Sequence, residues 1–357
     1  MQIHQLLASL EYGDAVANQA IAIQRHLRAQ GHESDLFAPS RHPLATEPTR
    51  PLEEMPTSPD AVTLYHHAFW SEEIHERLGT LPGRLAMIYH NITPEHYFAP
   101  YSADLRWSAA RARAALDPLR SLVDIPLTVS EFNRAELSAA GYADVGLLPL
   151  PMDVGLFSDT APDPAVVERY SDGWTNFLFV GRLAPNKRQE DVIRVFAWYH
   201  RYVDRASRLL LVGAAPEIDA YREDLVRVAD SLGVADFVVF AGKVSFPELV
   251  AYYRVADLFL CMSEHEGFCA PLVEAIFHDL LVVARAEGAI PETLGDAGIL
   301  VHGRNVPRIA ETIGLVLSDA ELRRDVVERQ RQRLEVYTPQ RFGAALDAFV
   351  RRVDGST

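Results

Sequence analysis

Cysteine and long apolar runs are both scarce in this sequence. Its 357 residues include two cysteines, Cys261 and Cys269, which are too few for a disulfide framework. No stretch approaches the ~18 apolar residues of a membrane-spanning helix, and residues 1–10 lack the basic and apolar regions of a signal peptide. These absences predict a cytoplasmic protein with no stable membrane insertion.

Positive charge is also in short supply. The chain has 34 basic and 49 acidic residues, a net charge of -15, so it repels phosphate backbones and anionic lipid. This excludes general nucleic-acid binding. No basic amphipathic helix for anionic lipid stands out, so a polar acceptor is favoured. Peripheral membrane contact stays open. Lys187 and Lys243 are the only lysines.

Several common binding motifs are missing. The sequence contains no G-x-G-x-x-G, no P-loop, no D-x-D and no group of His, Cys and carboxylate residues at metal-ligand spacing. A nicotinamide cofactor and a metal-assisted phosphate mechanism both lose support. The sequence therefore predicts no cofactor and no bound metal.

Strands alternate with helices along most of the chain, which predicts parallel sheets and an α/β fold. Two prolines in 148–153 predict a link between domains 1–150 and 151–357, with a helix at about 340–353 that could pack back on the first. A ligand cleft is expected between the carboxyl ends of the two sheets. Predicted strands are 3–8, 34–38, 61–65, 84–89, 127–129, 145–148, 177–180, 209–212, 237–240, 258–262 and 281–284. Predicted helices are 15–30, 306–317, 320–336 and 340–353, with others starting near 188, 217, 248 and 271 and helical material between several strands of 61–148.

The most informative stretch is 263–275, Ser-Glu-His-Glu-Gly-Phe-Cys-Ala-Pro-Leu-Val-Glu-Ala. Pro271 suits the first position of a helix, and Ala270 before it is a poor N-cap. The amides of Leu272, Val273 and Glu274 would then lack a side-chain acceptor and could bind an anion. Glu266 in the loop and Glu274 in the first turn would flank that anion. The alternative is a solvated Glu266 and a Glu274 that only complements the helix dipole.

A second stretch places cations after the first strand of the second domain. Arg182 and Lys187 lie within 180–188, Val-Gly-Arg-Leu-Ala-Pro-Asn-Lys-Arg. Together they could neutralise a diphosphate, because arginine offers a planar fork and lysine a point charge. The alternative is an ordinary solvated turn.

These two stretches resemble the retaining GT-B glycosyltransferases of family 4. The resemblance rests on the E-x7-E spacing of Glu266 and Glu274 and on Gly-Arg-Leu-Ala-Pro-Asn-Lys at 181–187, and it is strongest over about 176–301. It implies a GT-B fold of two Rossmann-like, doubly wound parallel-sheet domains facing a central cleft. It also implies transfer of a hexose from a nucleotide diphosphate sugar, UDP- or GDP-linked, to a hydroxyl acceptor without a metal.

The resemblance also implies roles for particular residues. Arg182 and Lys187 would hold the departing diphosphate, Glu266 would contact the hydroxyls of the donor sugar, and Glu274 would bind ribose. In the first domain, Gly13 lies in a loop similar to the family's donor-phosphate loop.

Two further assignments are weaker. The family often places a histidine of the first domain near the donor sugar, and His90, after a predicted strand, is the chosen candidate, with His66 and His67 as competitors. Val244, after Gly242 and Lys243, would frame the base through its backbone, with a plain turn as the alternative.

Two other functional classes stay open. A GT-B sugar-nucleotide epimerase would share the fold and the diphosphate site but act on a single substrate. A non-catalytic sugar-nucleotide-binding or scaffold protein is the other, and the retention of both glutamates, Arg182 and Lys187 counts against it. The oligomeric state and the pathway are left undetermined.

Overall fold

A computed structural model describes residues 1–215 and 217–355 of the chain. These residues divide into two units. The first comprises Met1–His96, Ala103–Pro151 and the chain from Tyr337 onward, and the second comprises Tyr97–Ser102 and Met152–Val336. The chain passes from the first unit into the longest segment of the second between Pro151 and Met152, within the proline-containing segment 148–153.

The first unit is built on a six-stranded parallel sheet with the order β2-β1-β3-β4-β5-β6. The strands are β1 (Ile3–Leu6), β2 (Leu36–Phe37), β3 (Val62–His67), β4 (Arg84–Tyr89), β5 (Ile125–Thr128) and β6 (Gly146–Leu147). Its first helices are α1 (Ala15–Ala29), α2 (Glu72–Leu78), α3 (Ala103–Ala114), α4 (Leu116–Arg120) and α5 (Glu131–Ala139). Every residue of β1 and β3 is buried, as expected for parallel strands covered on both faces.

The second unit repeats this plan with the order β12-β11-β10-β7-β8-β9. Its strands are β7 (Thr175–Val180), β8 (Ser207–Val212), β9 (Val238–Gly242), β10 (Leu258–Cys261), β11 (Leu281–Arg285) and β12 (Ile299–Val301). The remaining helices of the chain are α6 (Val154–Asp159), α7 (Pro164–Tyr170), α8 (Gln189–Tyr202), α9 (Asp219–Ser231), α10 (Phe246–Val255), α11 (Ala270–Phe277), α12 (Ile290–Leu294), α13 (Val306–Ser318), α14 (Ala320–Arg333) and α15 (Pro339–Asp354). Short 3₁₀ helices span Leu52–Glu54, Glu95–Tyr97, Pro185–Lys187, Ala235–Phe237 and Leu334–Tyr337.

The strand order of each sheet reverses once. In the first sheet the reversal lies between β1 and β3, and in the second it lies between β7 and β10. Loops that leave such a pair of strands diverge to opposite sides of the sheet and open a crevice at the carboxyl ends. The fold therefore marks one candidate ligand-binding edge in each unit.

The C-terminal helix α15 packs against the first unit. His26 Nε2 of α1 lies 2.7 Å from a carboxylate oxygen of Asp347, and Arg84 donates to the backbone oxygen of Val353 at 2.6 Å. Helix α15 begins at Pro339, with the hydroxyl of Thr338 accepting the amide of Arg341. The predicted start at residue 340 was therefore one residue late, because proline is well suited to the first turn.

Several predicted elements need correction. The expected strand at 34–38 is reduced to Leu36–Phe37, and β12, α6, α7 and α12 were not predicted. Strand β12 has three half-buried residues and therefore gives almost no periodic signal. Helices α6 and α7 have six and seven residues and depend on aspartate caps more than on an apolar face.

Candidate active site

The loops after β7 and β10 carry the residues that the sequence singles out in the second unit. They are joined by two hydrogen bonds: the amide of Glu264 donates to the backbone oxygen of Asn186 at 2.8 Å, and Asn186 Nδ2 donates to the backbone oxygen of His265 at 2.9 Å. Because β7 and β10 are the strands at which the order reverses, the two loops meet at the candidate ligand-binding edge.

This arrangement brings Lys187 and Glu266 together. Lys187 Nζ lies 2.8 Å from Glu266 Oε1, and the two side chains are only 16% and 10% exposed. Burial opposes the charge on Lys187, but the Glu266 carboxylate outweighs it and the pKa of the lysine is raised. The site therefore holds a permanent cation, and Glu266 is not the solvated residue of the alternative interpretation.

Ser263 is a contact of Glu266 that the sequence analysis did not single out. Its hydroxyl donates to Glu266 Oε1 at 2.9 Å and accepts from Cys261 Sγ at 3.3 Å. Oxygen Oε1 thus receives two hydrogen bonds, which fix the carboxylate within the loop. The only sequence signal for this role is that Ser263 opens the segment that contains Glu266.

The fold brings together three potential metal ligands that the sequence spacing does not indicate. Cys261, Glu266 and Cys269 each place one ligand atom within 4.8 Å of the others, and both cysteines are free thiols. Their spacing of five and three residues is not a typical ligand pattern, so only the folded loop reveals the cluster. The carboxylate is already paired with Lys187, and a cation would compete with that ammonium group.

The backbone of Glu266 is enclosed by the segment after β11. The amide of Ala289 donates to the backbone oxygen of Glu266 at 2.9 Å. Gly288 has a φ of +57°, and a Cβ there would lie 2.7 Å from the oxygen and 2.9 Å from the nitrogen of Glu266. Only glycine fits this close approach without displacing Glu266.

Replacement of Gly288 by alanine should therefore damage the site. We expect Gly288→Ala to lower turnover on the order of tenfold or more, because small displacements of positioned groups are costly. The matched control is Gly303→Ala, since Gly303 has a similar φ of +76° but no atom within 4 Å of an added Cβ. Denaturant unfolding and turnover of both variants provide the test. Equal turnover in the two variants would mean that Gly288 does not position Glu266.

Helix α11 starts one residue earlier than the sequence analysis predicted. Its N-cap is Cys269, which has a left-handed φ of +70° and makes no side-chain capping bond. The predicted cap, Ala270, is the first helical residue, so Glu274 is the fifth residue and not in the first turn. The amide of Leu272 donates to the backbone oxygen of Cys269 at 3.0 Å, so it is not the free anion-binding donor that was predicted. Val273 follows as a buried residue.

Glu274 is held by a tyrosine of the neighbouring helix. The hydroxyl of Tyr253 donates to Glu274 Oε2 at 2.6 Å. Burial raises the pKa of Glu274, and the hydrogen bond from Tyr253 offsets part of this rise. The carboxylate thus sits in a desolvated place where a further hydrogen bond from a ligand hydroxyl would be strong.

Arg182 lies in the loop after β7 that also carries Lys187, and Val244 follows β9. Arg182 is exposed, and its backbone oxygen accepts a hydrogen bond from Gln189 Nε2 at 3.1 Å. Val244 is half-buried in the loop between β9 and α10. A cavity of about 340 Å³ opens nearby, lined by Leu183, Gly213, Ala214, Ala215, Asp219, Arg222, Phe240 and Gly242. Gly242, which lies two residues before Val244 in the sequence, lines this cavity.

The first unit presents Gly13 in the loop before α1. Gly13 has a φ of +73° with open space around it. Asp14 caps α1, and its carboxylate accepts the amides of Val16 at 3.0 Å and Ala17 at 3.4 Å. An anion at Gly13 would therefore meet a carboxylate at the start of α1.

The three candidate histidines differ in their free hydrogen-bonding capacity. His67 uses both ring nitrogens, with the Tyr65 hydroxyl and the backbone oxygen of Ala112, each at 2.9 Å. His66 also uses both, with Gln5 and His90. His90 is half-buried, and its Nε2 lies 2.9 Å from His66 Nδ1. Within residues 1–215 and 217–355, Nδ1 of His90 has no hydrogen-bonding partner.

The backbone beside His90 is fixed by a polar network. Asn91 has a left-handed φ of +75°, and its Nδ2 donates to Asn133 Oδ1 at 2.9 Å and to Glu136 at 2.7 Å. The hydroxyl of Ser130 caps α5, the helix that carries these two partners. The turn after β4 is therefore held in a single conformation around His90.

Solved structures with the same fold include a sucrose-phosphate synthase and a UDP-glucose complex. Sucrose-phosphate synthase from Thermosynechococcus elongatus superposes over the full length of both chains with a TM-score of 0.75 at 18% identity. HepE from Anabaena, in complex with UDP-glucose, superposes over 99% of this chain and all of its own with a TM-score of 0.76 at 15% identity. The fold class is that of the GT-B glycosyltransferases, with two parallel six-stranded sheets and flanking helices.

Comparison with known sequences finds glycosyltransferase matches over part of the chain. Residues 169–333 match the model of the family of glycosyl transferases group 1. A GDP-mannose-dependent alpha-(1-6)-phosphatidylinositol monomannoside mannosyltransferase from Mycobacterium tuberculosis is 31% identical over a 226-residue alignment that covers 59% of this chain and 57% of that protein. The match thus spans less than two thirds of the relative. No helix among the described residues has the length and apolar character to cross a bilayer.

Proposed function

We propose that this protein is a retaining glycosyltransferase that moves a hexose from a UDP- or GDP-linked donor to a hydroxyl acceptor. The observation that carries the proposal is the ion pair of Lys187 and Glu266, which joins the loops after β7 and β10. Both residues lie within the family segment 169–333. A buried cation beside a buried carboxylate suits a ligand that presents phosphates next to sugar hydroxyls.

The charges match the chemistry of donor cleavage. Breaking the bond between sugar and diphosphate builds positive charge on the sugar ring and negative charge on the departing phosphate oxygen. A cation that is already in place, here Lys187, stabilises the negative charge as it develops and needs no reorganisation. The exposed Arg182 is proposed as a second cation for the same diphosphate. The resemblance to family 4 supports a same-face transfer, in which a donor phosphate oxygen takes the acceptor proton and no protein nucleophile is needed.

The other predicted residues keep their proposed tasks. Glu274 binds ribose, the start of α11 at Val273 faces phosphate, and His90 contacts the donor sugar. Leu272 loses its task, because its amide is bonded to Cys269. The desolvation of Glu274 supports its task, because its carboxylate gains more from a ligand hydroxyl than an exposed one would. Gly13 is the weakest of these assignments, since Asp14 places a carboxylate next to it.

The donor class has independent support from the comparisons. The mannosyltransferase relative is described as GDP-mannose-dependent, and the HepE structure contains UDP-glucose. We therefore propose a UDP- or GDP-sugar as donor and a cytoplasmic location, which the two free thiols support.

An acceptor-dependence assay separates this proposal from its rivals. Nucleoside diphosphate release from UDP- and GDP-sugars is measured with and without a panel of hydroxyl acceptors. A transferase gives acceptor-stimulated release, whereas an epimerase converts the sugar without any acceptor. A binding protein is stabilised by the nucleotide sugar but does not turn it over.

Metal removal gives a further prediction. We expect transfer to survive EDTA, because Lys187 and Arg182 supply the positive charge that a divalent ion provides in other enzymes. Rates before and after chelation, with a Mn²⁺ or Mg²⁺ readdition control, are the measurement. Complete loss in EDTA with recovery on readdition would show that the transferase needs a metal.

A further inference from the structure

Three polar side chains form a continuous hydrogen-bonded row across the first sheet. Gln5 is on β1, His66 is on β3 and His90 follows β4, and these are neighbouring strands in the sheet order. His66 Nε2 lies 2.9 Å from Gln5 Oε1, and His66 Nδ1 lies 2.9 Å from His90 Nε2. Gln5 and His66 are 0% and 1% exposed, so water cannot substitute for these bonds.

The donor and the acceptor of each hydrogen bond in this row can be assigned by starting from Gln5. Gln5 Nε2 donates to the backbone oxygen of Ala20 at 2.9 Å, which orients the amide and turns Oε1 toward His66. A carbonyl oxygen only accepts, so His66 Nε2 must carry a proton. Burial lowers the pKa of His66 to about 3, so the ring is neutral and its Nδ1 is an acceptor. His90 Nε2 must therefore be the donor in the second bond.

One ring nitrogen of His90, Nδ1, remains as a hydrogen-bond acceptor for a ligand. Burial, followed by the neighbouring His66 and His67, holds the pKa of His90 well below its usual value. In the neutral ring with a proton on Nε2, Nδ1 carries a lone pair and no proton. The nearly parallel rings of His66 and His90, 5.1 Å apart at 16°, limit rotation of His90.

We propose that Gln5 and His66 are positioning residues that fix His90 as its Nε2–H tautomer, so that Nδ1 accepts a hydrogen bond from a ligand hydroxyl. A phosphate oxygen has no proton to offer this nitrogen, so the contact selects sugar hydroxyls over phosphate. The assignment of the ligand as a donor-sugar hydroxyl rests on the proposed function. The tautomer rests on the hydrogen bonds and the burial of these side chains within the first unit, and not on the proposed function.

The tautomer is tested by ¹⁵N NMR of the full-length protein with ¹⁵N-labelled histidine. Long-range proton–nitrogen correlations show which ring nitrogen carries the proton. We expect His90 to be protonated at Nε2, with His67 as an internal reference for the same tautomer because it donates to the backbone oxygen of Ala112. Protonation of His90 at Nδ1 in the unmodified protein overturns the proposal without the need for any variant.

Two variants of Gln5 then test the row itself. In Gln5→Leu the acceptor for His66 is lost, and we expect a population of His90 protonated at Nδ1 to appear. Gln5→Glu restores an acceptor and should restore the single tautomer. An unchanged His90 signal in a folded Gln5→Leu protein shows that the row does not set the tautomer and overturns the proposal.

Kinetics of the same variants test the role of the tautomer. Gln5→Leu should lower kcat up to about tenfold, the scale of one hydrogen bond, with affinity for the nucleoside diphosphate unchanged, and Gln5→Glu should recover it. If the tautomer changes and kcat does not, the positioning role is wrong. If the unmodified protein turns over no donor, the proposed function fails, while the NMR result still decides the tautomer.

Discussion

Replacing Lys187 with methionine is expected to reduce kcat/KM by on the order of 10²-fold or more. That is the scale of losing one preorganised charge at a developing anion. The change also leaves the Glu266 carboxylate buried without its cation, so stability should fall by about 3 kcal/mol. Turnover of the donor and denaturant unfolding measure the two effects separately.

A double variant separates catalysis from folding. Lys187→Met combined with Glu266→Gln removes both charges of the pair that lies 2.8 Å apart. Stability should recover most of the loss, because no unpaired charge remains buried, while activity should stay low. Recovery of activity together with stability would mean that Lys187 acts only through folding and that the diphosphate binds elsewhere.

The second large effect is expected at Glu266. Glu266→Ala should reduce transfer about 10²-fold, because contacts to the sugar strengthen on the way to the transition state. Its affinity for the free nucleoside diphosphate should be kept or raised, since Lys187 loses its carboxylate partner and is left for phosphate. Calorimetric titration with the nucleoside diphosphate, beside rates with the intact donor, gives both quantities.

Glu274 is the matched comparison for this experiment. Glu274→Ala should weaken nucleoside diphosphate and donor alike, because ribose is present in both. Tyr253→Phe is the control, since it removes the hydroxyl that donates to Glu274 at 2.6 Å but keeps the carboxylate. Loss of nucleoside diphosphate binding in Glu266→Ala, with normal binding in Glu274→Ala, would reverse the two roles.

The sequence predicted the fold well where strands are long and continuously buried. Strand β4 was predicted at 84–89 and is observed as Arg84–Tyr89, because its apolar run ends at clear turn residues. The start of α11 was predicted one residue late. Cysteine in the left-handed region is uncommon, so nothing in the sequence marked Cys269, with its φ of +70°, as the cap.

The candidate site was predicted residue by residue but not as a set of contacts. Lys187 and Glu266 were assigned to different parts of the ligand, and the structure shows them as one ion pair 79 residues apart in sequence. Such pairing depends on how β7 and β10 lie side by side, which no local pattern encodes. The role of Gly288 was missed for the same reason, because its need for glycine arises from the backbone of Glu266.

The most direct test of the central claim is nucleoside diphosphate release from a panel of UDP- and GDP-sugars. The unmodified protein and the double variant of Lys187 and Glu266 are compared in the presence of hydroxyl acceptors. We predict that the unmodified protein releases nucleoside diphosphate from at least one donor and that the folded double variant is at least 10²-fold slower. Release at equal rates by both proteins, or no release from any donor by the unmodified protein, would contradict the assignment of this site to sugar transfer.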